Sequence, residues 1–477
     1  MKQASDLNEL IDHLNSRMES LPKTFPSTTG DRVIRSADWG AELIIEMELC
    51  FSSPLDVTLL QQAYLLTLYA EPILSCRYTK NWWRDYFVRM PLNLEAGFKI
   101  AQSVNEYDAF KNSSMDHSVG PMLQCCLLNS DSEEENTYLN VKISHLAADA
   151  KGLHQTVALM SKNYQLLLVN PNHLPVCNIQ GRRGMTQVFS SVPQKIRWQA
   201  PLRVAKQFKG VPMNIPHAHP PFTVPVQRKT PDSHFRYNTC ELTPEQTDNL
   251  INYCKRKKVT LNDVFQAAYA RAMMIVGKKH DQRCVCTWMT VDLRRFIRSD
   301  HPMAISNLSG GAMLPVSIDP TRDGNLDFET TLKNVAAITQ RLKNDWIGID
   351  QTFLFAILMR IIPSGLLERL TCFLSQQTQK KQQYYNCLTN LGEIKEQDVN
   401  FGQSPLSAVL LVPPFHPPQV GAGVSSYNNR VTFSVANFNN EGQLAVRVIE
   451  QIRIELLNEI NFYESNSVEN FSERIRA

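Results

Sequence analysis

The chain has 477 residues, more than one hydrophobic core usually organises, so two lobes are expected. Its 43% hydrophobic and 20% charged residues are ordinary for a globular protein, and 49 Lys plus Arg against 46 Asp plus Glu leave a formal charge of only +3. So even a balance excludes a general nucleic-acid binder, which concentrates positive charge to displace counterions. The N-terminus, Met1-Lys2-Gln3-Ala4-Ser5-Asp6, lacks the apolar core of a signal peptide. Eleven cysteines, an odd number, point to a reducing, cytoplasmic setting. Cys125-Cys126 and Cys284-Val285-Cys286 have the wrong spacing for a zinc knuckle or a redox pair, so no metal is expected. The most apolar long stretch, Thr352 to Phe373, is broken by Arg360, Pro363, Glu368 and Arg369. That argues against a transmembrane segment and predicts a buried helix pair.

In chain order, the first lobe opens as strand, helix, strand. Ala41 to Cys50 alternates as a strand, and Leu59, Ala63, Leu66 and Ala70 recur at helical spacing. Ile73 to Tyr78 and Tyr86 to Met90 read as a strand pair. Met122 to Leu128 and Thr137 to His145 read as two more strands, joined by a solvated acidic turn, 131–136. From about Gly181 to Val226, prolines at 193, 201, 212, 216, 220, 221 and 225 predict extended backbone, interrupted by a basic helix near Lys195 to Lys209. The chain therefore divides into an N-terminal lobe (1–180), a crossover (181–235) and a C-terminal lobe (236–477). In the last of these, Thr243-Pro244-Glu245-Gln246 and Thr260-Leu261-Asn262-Asp263 are helix starts. A strand (Arg283 to Val291), a turn or strand bend at Ser309-Gly310-Gly311 and helices from Leu326 to Gln379 follow. Next come a strand (Tyr384 to Leu391), a hairpin about Asn428-Asn429 and an amphipathic helix from Gln443 to about Phe462. Alternation of strands and helices in both halves makes the fold class α/β.

One pattern carries chemistry: His145-Leu146-Ala147-Ala148-Asp149. If Thr137 to His145 is a strand, then Leu139, Val141, Ile143 and His145 share one face, so the imidazole ends an apolar row and points inward. There a dry surrounding keeps it neutral until it takes a proton from a hydroxyl or amine. The alternative is a satisfied core histidine with Asp149 capping the next helix. In the second half, Asp292-Leu293-Arg294 follows directly on a strand. A guanidinium can lock a carboxylate by two hydrogen bonds, which makes Arg294 the expected partner of Asp149; otherwise Arg294 and Arg295 are solvated turn residues.

Six segments in order carry a resemblance: Glu71-Pro72-Ile73-Leu74-Ser75-Cys76-Arg77, Gly120-Pro121-Met122-Leu123, the His145 motif, Val259-Thr260-Leu261-Asn262-Asp263, Val291-Asp292-Leu293-Arg294, and Thr389-Asn390-Leu391-Gly392. Together they resemble the superfamily of chloramphenicol acetyltransferase, nonribosomal peptide condensation domains, alcohol acetyltransferases and polyketide-associated acyltransferases. Condensation domains usually carry two adjacent histidines and a Gly straight after the Asp. Here the order is Ser144-His145 and Asp149-Ala150-Lys151-Gly152, so the chain is nearer the alcohol-acetyltransferase and polyketide-associated branches.

The resemblance implies two chloramphenicol-acetyltransferase-like lobes meeting in a V, with a tunnel between them, each lobe a mixed sheet flanked by helices. It implies an acyltransferase in which His145 is the general base and the acceptor attacks a thioester directly, with no metal and no covalent acyl-enzyme. Asp149 and Arg294 take a structural role at the site, and Ser144, Gly152, Asn390 and Gly392 are expected to bind substrate. The co-substrate is an acyl-CoA or a phosphopantetheine thioester, and no cofactor is held permanently. Expected partners are a small-molecule or lipid acceptor and an acyl carrier protein, with no nucleic acid. A freestanding condensation-type enzyme fed by a carrier protein and a non-catalytic docking protein of the same fold are the alternatives. His154 reads as a surface or helix-packing histidine. Lys255-Arg256-Lys257-Lys258 is a solvated helix end or a contact for phosphates of CoA or an acidic carrier. The basic helix Lys195 to Lys209 has a lipid surface as its alternative partner.

Overall fold

The computed structural model describes residues 2–476 except 39, 130–135, 210–234, 278–283, 299–301, 318–327, 345, 381–385, 417–418 and 439–442. Residues 131–135 of the acidic turn and 210–234 of the proline-rich crossover lie outside the described residues.

The chain runs α1 (Lys2–Met18), β1 (Thr24–Pro26), α2 (Thr29–Arg35), β2 (Ile44–Phe51), α3 (Val57–Ala70), β3 (Cys76–Thr79), β4 (Tyr86–Arg89), β5 (Phe98–Ile100) and α4 (Val104–Lys111). It continues through β6 (Leu123–Leu128), β7 (Thr137–Ser144), α5 (Ala150–Val169), α6 (Thr186–Ser191) and α7 (Gln194–Lys209). Then follow β8 (Phe235–Leu242), α8 (Pro244–Lys257), α9 (Leu261–Gly277), β9 (Cys284–Asp292) and β10 (Ser309–Ser317). The last part comprises α10 (Phe328–Asn344), α11 (Ile349–Ile361), α12 (Ser364–Lys380), β11 (Asn386–Glu393), β12 (Ser407–Leu411), β13 (Gly421–Tyr427), β14 (Arg430–Phe438) and α13 (Leu444–Arg476).

Two mixed sheets organise two cores. The first has the order β12-β2-β7-β6-β5 and the second β10-β9-β11-β13-β14-β8, with a small third sheet, β1-β4-β3. Most neighbours are antiparallel; β5–β6, β9–β11 and β11–β13 are parallel. Helices α3 and α5 cover one face of the first sheet through Leu60, Leu66, Val157 and Met160, which pack with Leu139, Val141 and Ile143 of β7. Helices α9 and α13 cover the second through Phe265, Met273, Val448 and Ile452. This is an α/β, two-lobed architecture of helix-flanked sheets, as the resemblance implied. The lobes exchange a strand: after β11 the chain leaves the second sheet, lays β12 against β2 in register Ser407↔Cys50 to Leu411↔Glu46, and returns as β13.

Local sequence accounts for many boundaries. The Thr243–Gln246 capping box starts α8, and Lys258 ends it with φ 56°. Asn428 and Asn429 both adopt positive φ (45° and 57°), the twist that a two-residue hairpin between β13 and β14 needs. Two readings need correction. The first lobe opens with α1, β1 and α2, ahead of the strand at Ile44; β1 and α2 are too short to show a period, whereas α1 does carry one, with Leu7, Leu10, Ile11, Leu14 and Met18 at helical spacing against the core. The Thr352–Phe373 stretch does form a helix pair, α11 and α12, but that pair is buried on one side only, through Ala356, Met359 and Leu367, while Phe355, Leu358, Ile361, Leu366, Phe373 and Leu374 are exposed.

Strand β7 is covered on its polar face too. Lys142 is fully buried, donates to the carbonyls of Phe110 and Ser113 at 2.7 Å each, and lies 3.5 Å from the buried Glu46. Burial pushes the Glu46 carboxyl up to about 7, while the Lys142 charge and the Asn140 amide pull it back. Lys142→Met strands that carboxyl without its cation and should cost about 3–5 kcal/mol, seen as a lower urea midpoint. The loss should deepen as pH rises through 7, because the ionised carboxylate then has no cation beside it. Glu46→Gln in the same chain should restore much of the midpoint.

Candidate active site

The site begins where β7 ends. Extended backbone carries His145 one step past Ser144, and its N–H still donates to Leu43 O at 2.8 Å. The chain then turns through Leu146, Ala147 and Ala148, all buried, into α5, whose N-cap is Asp149. The turn brings Ala148 O to 2.9 Å from Nδ1 of His145. A carbonyl only accepts, so Nδ1 carries the proton and Nε2 keeps its lone pair. The residue as a whole is half-buried. Its pKa lies below the usual 6.5: burial lowers it most, and the Asp149 charge, the Ala148 carbonyl and the Asn307 side chain oppose that without reversing it. The result is a neutral imidazole of fixed tautomer at neutral pH.

Asp149 is turned to other work. Its carboxylate accepts from Gly152 N (2.9 Å), Leu308 N (2.8 Å) and Ser309 Oγ (2.9 Å), and from both terminal nitrogens of Arg294 at 2.9 and 3.0 Å. Arg294 also donates to Ser306 O at 2.9 Å and to Asp292 at 3.1 Å. Burial alone would raise the Asp149 pKa; the Arg294 charge and the hydrogen bonds outweigh it, and the carboxyl sits below its usual 3.8. The pair ties the first helix after β7 to the turn after β9 and to the start of β10, one lobe to the other.

A second layer holds the loop itself. Asn307 Nδ2 lies 2.9 Å from His145 O, 3.0 Å from Leu146 O and 3.0 Å from Asp31 Oδ1. Arg183 donates to Ala147 O at 3.0 Å and Ile305 O at 2.9 Å, and stands 3.4 Å from Asp31. Asp31 in turn closes a capping box with Thr28 at the head of α2. None of these three residues was singled out from sequence. The Thr28-Thr29-Gly30-Asp31 spacing carries a capping signal, but Asn307 and Arg183 sit in segments without periodicity.

The remaining candidates fall elsewhere. Ser144 lies one residue earlier, on the opposite face of the strand, where its buried Oγ meets His117 Nδ1 at 3.0 Å. Gly152 packs in the first turn of α5, where an added Cβ would come within 2.8 Å of Ala148 Cβ. Asn390 and Gly392 are exposed on a bulge of β11; Asn390 Oδ1 accepts from Gly392 N at 3.0 Å, and Gly392 has φ 83°. His154 is buried on α5 with Nε2 3.1 Å from Asp398, and burial together with Lys151 lowers its pKa to about 4.

Among solved structures, trichothecene 15-O-acetyltransferase from Fusarium sporotrichioides superposes with a TM-score of 0.62 at 10% identity, over 91% of this chain and 94% of that one. Polyketide synthase associated protein 5 from Mycobacterium tuberculosis gives 0.59 at 16% identity, over 92% and 98%. The first condensation domain of the calcium-dependent antibiotic synthetase gives 0.61 at 13%, over 92% and 96%. The chain shares the two-lobed fold of these acetyltransferase, polyketide-associated and condensation-domain structures. Residues 231–324 match the family model of the phthiocerol/phthiodiolone dimycocerosyl transferase C-terminus. No curated protein sequence matches the chain. Within the matched segment lie Arg294, Asn307, Leu308 and Ser309, the second-lobe half of the polar web.

Arg294→Met removes the cation from a buried carboxylate and should cost about 3–5 kcal/mol near neutral pH. Because the Asp149 pKa is depressed in the fold, its contribution is present above the unfolded value and is lost as pH falls through the folded one. The gap between the variant and the parent, read from denaturation midpoints, should therefore narrow on acidification.

Proposed function

We propose that the protein is an acyltransferase that moves an acyl group from a thioester to a hydroxyl or amine, with His145 as general base. The observation that carries this reading is the imidazole itself: Nδ1 held by Ala148 O and a pKa below the usual 6.5, on a residue that is half-buried. The two-lobed acyltransferase- and condensation-type fold supports it, as does the match of residues 231–324 to an acyltransferase family model.

The chemistry follows from those residues. Nε2 takes the proton from the acceptor hydroxyl or amine as its oxygen or nitrogen forms a bond to the thioester carbonyl. The tetrahedral adduct collapses, the carbon–sulfur bond breaks, and the leaving thiolate takes the proton back from the imidazolium. Ala148 O keeps its hydrogen bond to Nδ1–H throughout, so the ring need not turn. Asp149 and Arg294 act as positioning residues: they keep the loop from Leu146 to Ala148 against the second lobe. Ser144 Oγ accepts from Leu146 N at 3.3 Å and Gly152 packs against Ala148, so both support the loop, while Asn390 and Gly392, exposed on β11, are the candidates for contact with substrate.

An acyl-CoA or a carrier-bound phosphopantetheine thioester is the donor, and a small molecule or lipid the acceptor. The donor test is a panel of acyl-CoA and acyl-carrier substrates assayed for thiol release. Turnover with free acyl-CoA assigns the first donor; turnover only with carriers assigns the freestanding condensation-type enzyme. His145→Ala should lower kcat by about 10²–10⁴-fold, the range of a general base, and a loss under about tenfold would reject the assignment. Because the His145 pKa is lowered, the base form persists below pH 6.5. The acid limb of kcat/KM should therefore have its midpoint below the ordinary histidine value, and a midpoint above 6.5 would contradict the reading.

A further inference from the structure

An amphipathic helix normally turns its apolar stripe to the core. Helix α12 turns one outward. Leu366, Leu370, Phe373 and Leu374, spaced i, i+4, i+7 and i+8, are all exposed, Phe373 by 56%. Leu358 and Ile361 at the end of α11 extend the stripe, and Ile361 is 74% exposed. The loop before β4 adds two indoles to the same surface. Trp82 O accepts from Gly365 N at 2.9 Å and Trp83 O from Ser364 N at 3.2 Å, which fixes both rings beside the start of α12. Trp83 is 72% exposed. Helix α7 packs beside α11, where Arg203 donates to Asp350 at 2.7 Å, and its Trp198 and Leu202 are exposed.

The charge around this surface is one-sided. Lys80, Arg84, Arg360 and Arg369 are exposed there. Arg369 lies 5.1 Å from the Trp82 ring centroid, and the exposed carboxylate among them, Glu368, is already paired with Arg35 and Lys80 at 2.9 Å each. Between α2 and the α11–α12 turn, a cavity of about 470 Å³ has Arg32, Arg84, Arg360, Trp83 and Ile361 in its wall. The Arg32 guanidinium is buried, with two nitrogens on the carbonyls of Met359 and Ile362 and Nε without a hydrogen-bond partner.

We propose that this face docks on an anionic lipid bilayer: the α11–α12 stripe and the indoles enter the interface, and the arginine-walled cavity lies at headgroup level. Apolar side chains flanked by Trp and by Lys or Arg suit the boundary between acyl chains and phosphates. A second copy of the chain is the poorer occupant, because a two-fold contact would press like-charged patches together. Among the described residues no helix is long and apolar enough to cross a membrane, so the contact lies on the surface of the bilayer. Seated there, the protein could draw a lipid acceptor or long acyl donor from the membrane, although the docking itself does not depend on acyl transfer.

The test is flotation of the full chain with vesicles of phosphatidylcholine alone or mixed with phosphatidylglycerol, alongside Arg360→Glu/Arg369→Glu and Leu370→Glu/Phe373→Glu. The parent should float with the anionic vesicles and far less with the neutral ones. Each double variant should lower its apparent affinity by about tenfold or more, in keeping with the contribution of each basic residue near a charged surface. All four positions are exposed, so circular dichroism and the thermal midpoint should stay at parental values; if one variant fails to fold, the other carries the test. Brominated lipid should quench the parent's fluorescence and quench Trp83→Phe less. No flotation with either vesicle, undiminished binding by the folded variants, or a concentration-dependent dimer that Leu370→Glu/Phe373→Glu dissolves would overturn the proposal.

Discussion

The buried pair of Asp149 and Arg294 is the interaction on which the arrangement of the site depends. Two charges removed from water are expensive unless every remaining lone pair is used, and here they are used: five donors converge on the carboxylate, from three segments of chain. That saturation has a geometric consequence. Asp149 cannot move without breaking the cap of α5, and Arg294 cannot move without releasing Ser306 O. The loop between His145 and Asp149 is thereby pinned at its far end to the opposite lobe, and its near end is fixed by β7.

Everything about His145 follows from that pinned loop. Ala148 precedes Asp149 by one residue, so fixing Asp149 also fixes the carbonyl that selects the imidazole tautomer. Asn307 sits two residues before Ser309 in the segment that Asp149 holds, and its amide reaches the carbonyls of His145 and Leu146. One carboxylate thus sets the second lobe against both sides of the loop. Asp149 is close enough to influence the His145 pKa by its charge, yet its hydrogen bonds all go elsewhere. Its part is position, and it differs in this from the carboxylate of a hydrogen-bonded triad.

The exchange of β12 into the first sheet works toward the same end at larger scale. A strand from the late chain pairs along the whole of β12 with β2, the immediate neighbour of β7. β12 belongs to the first sheet and is joined to the second through its chain connections to β11 and β13, so the sheet that carries His145 and the sheet that leads to Arg294 are linked by backbone as well as by charge. The exposed stripe on α11 and α12 lies outside this coupled core. There apolar side chains are left exposed, which breaks the rule by which helices are normally read.

Sequence alone determined the elements whose patterns are local. The β7 alternation, the capping boxes before α8 and α9 and the Asn428-Asn429 turn depend on neighbours a few residues apart, and they were legible for that reason. The inward aim of His145 was legible too, since it follows from the period of a strand. Asp149 and Arg294 could be paired only by chemical complementarity and by resemblance, being 145 residues apart. Tertiary structure decided the rest: the tautomer set by Ala148 O, the entry of Asn307, Arg183 and Asp31, the turn of Ser144 away toward His117, and the transfer of β12 to the first sheet. It also decided that the apolar run from Thr352 to Phe373 buries one face through Ala356, Met359 and Leu367 and leaves another outward, because periodicity marks an apolar face but not what that face meets.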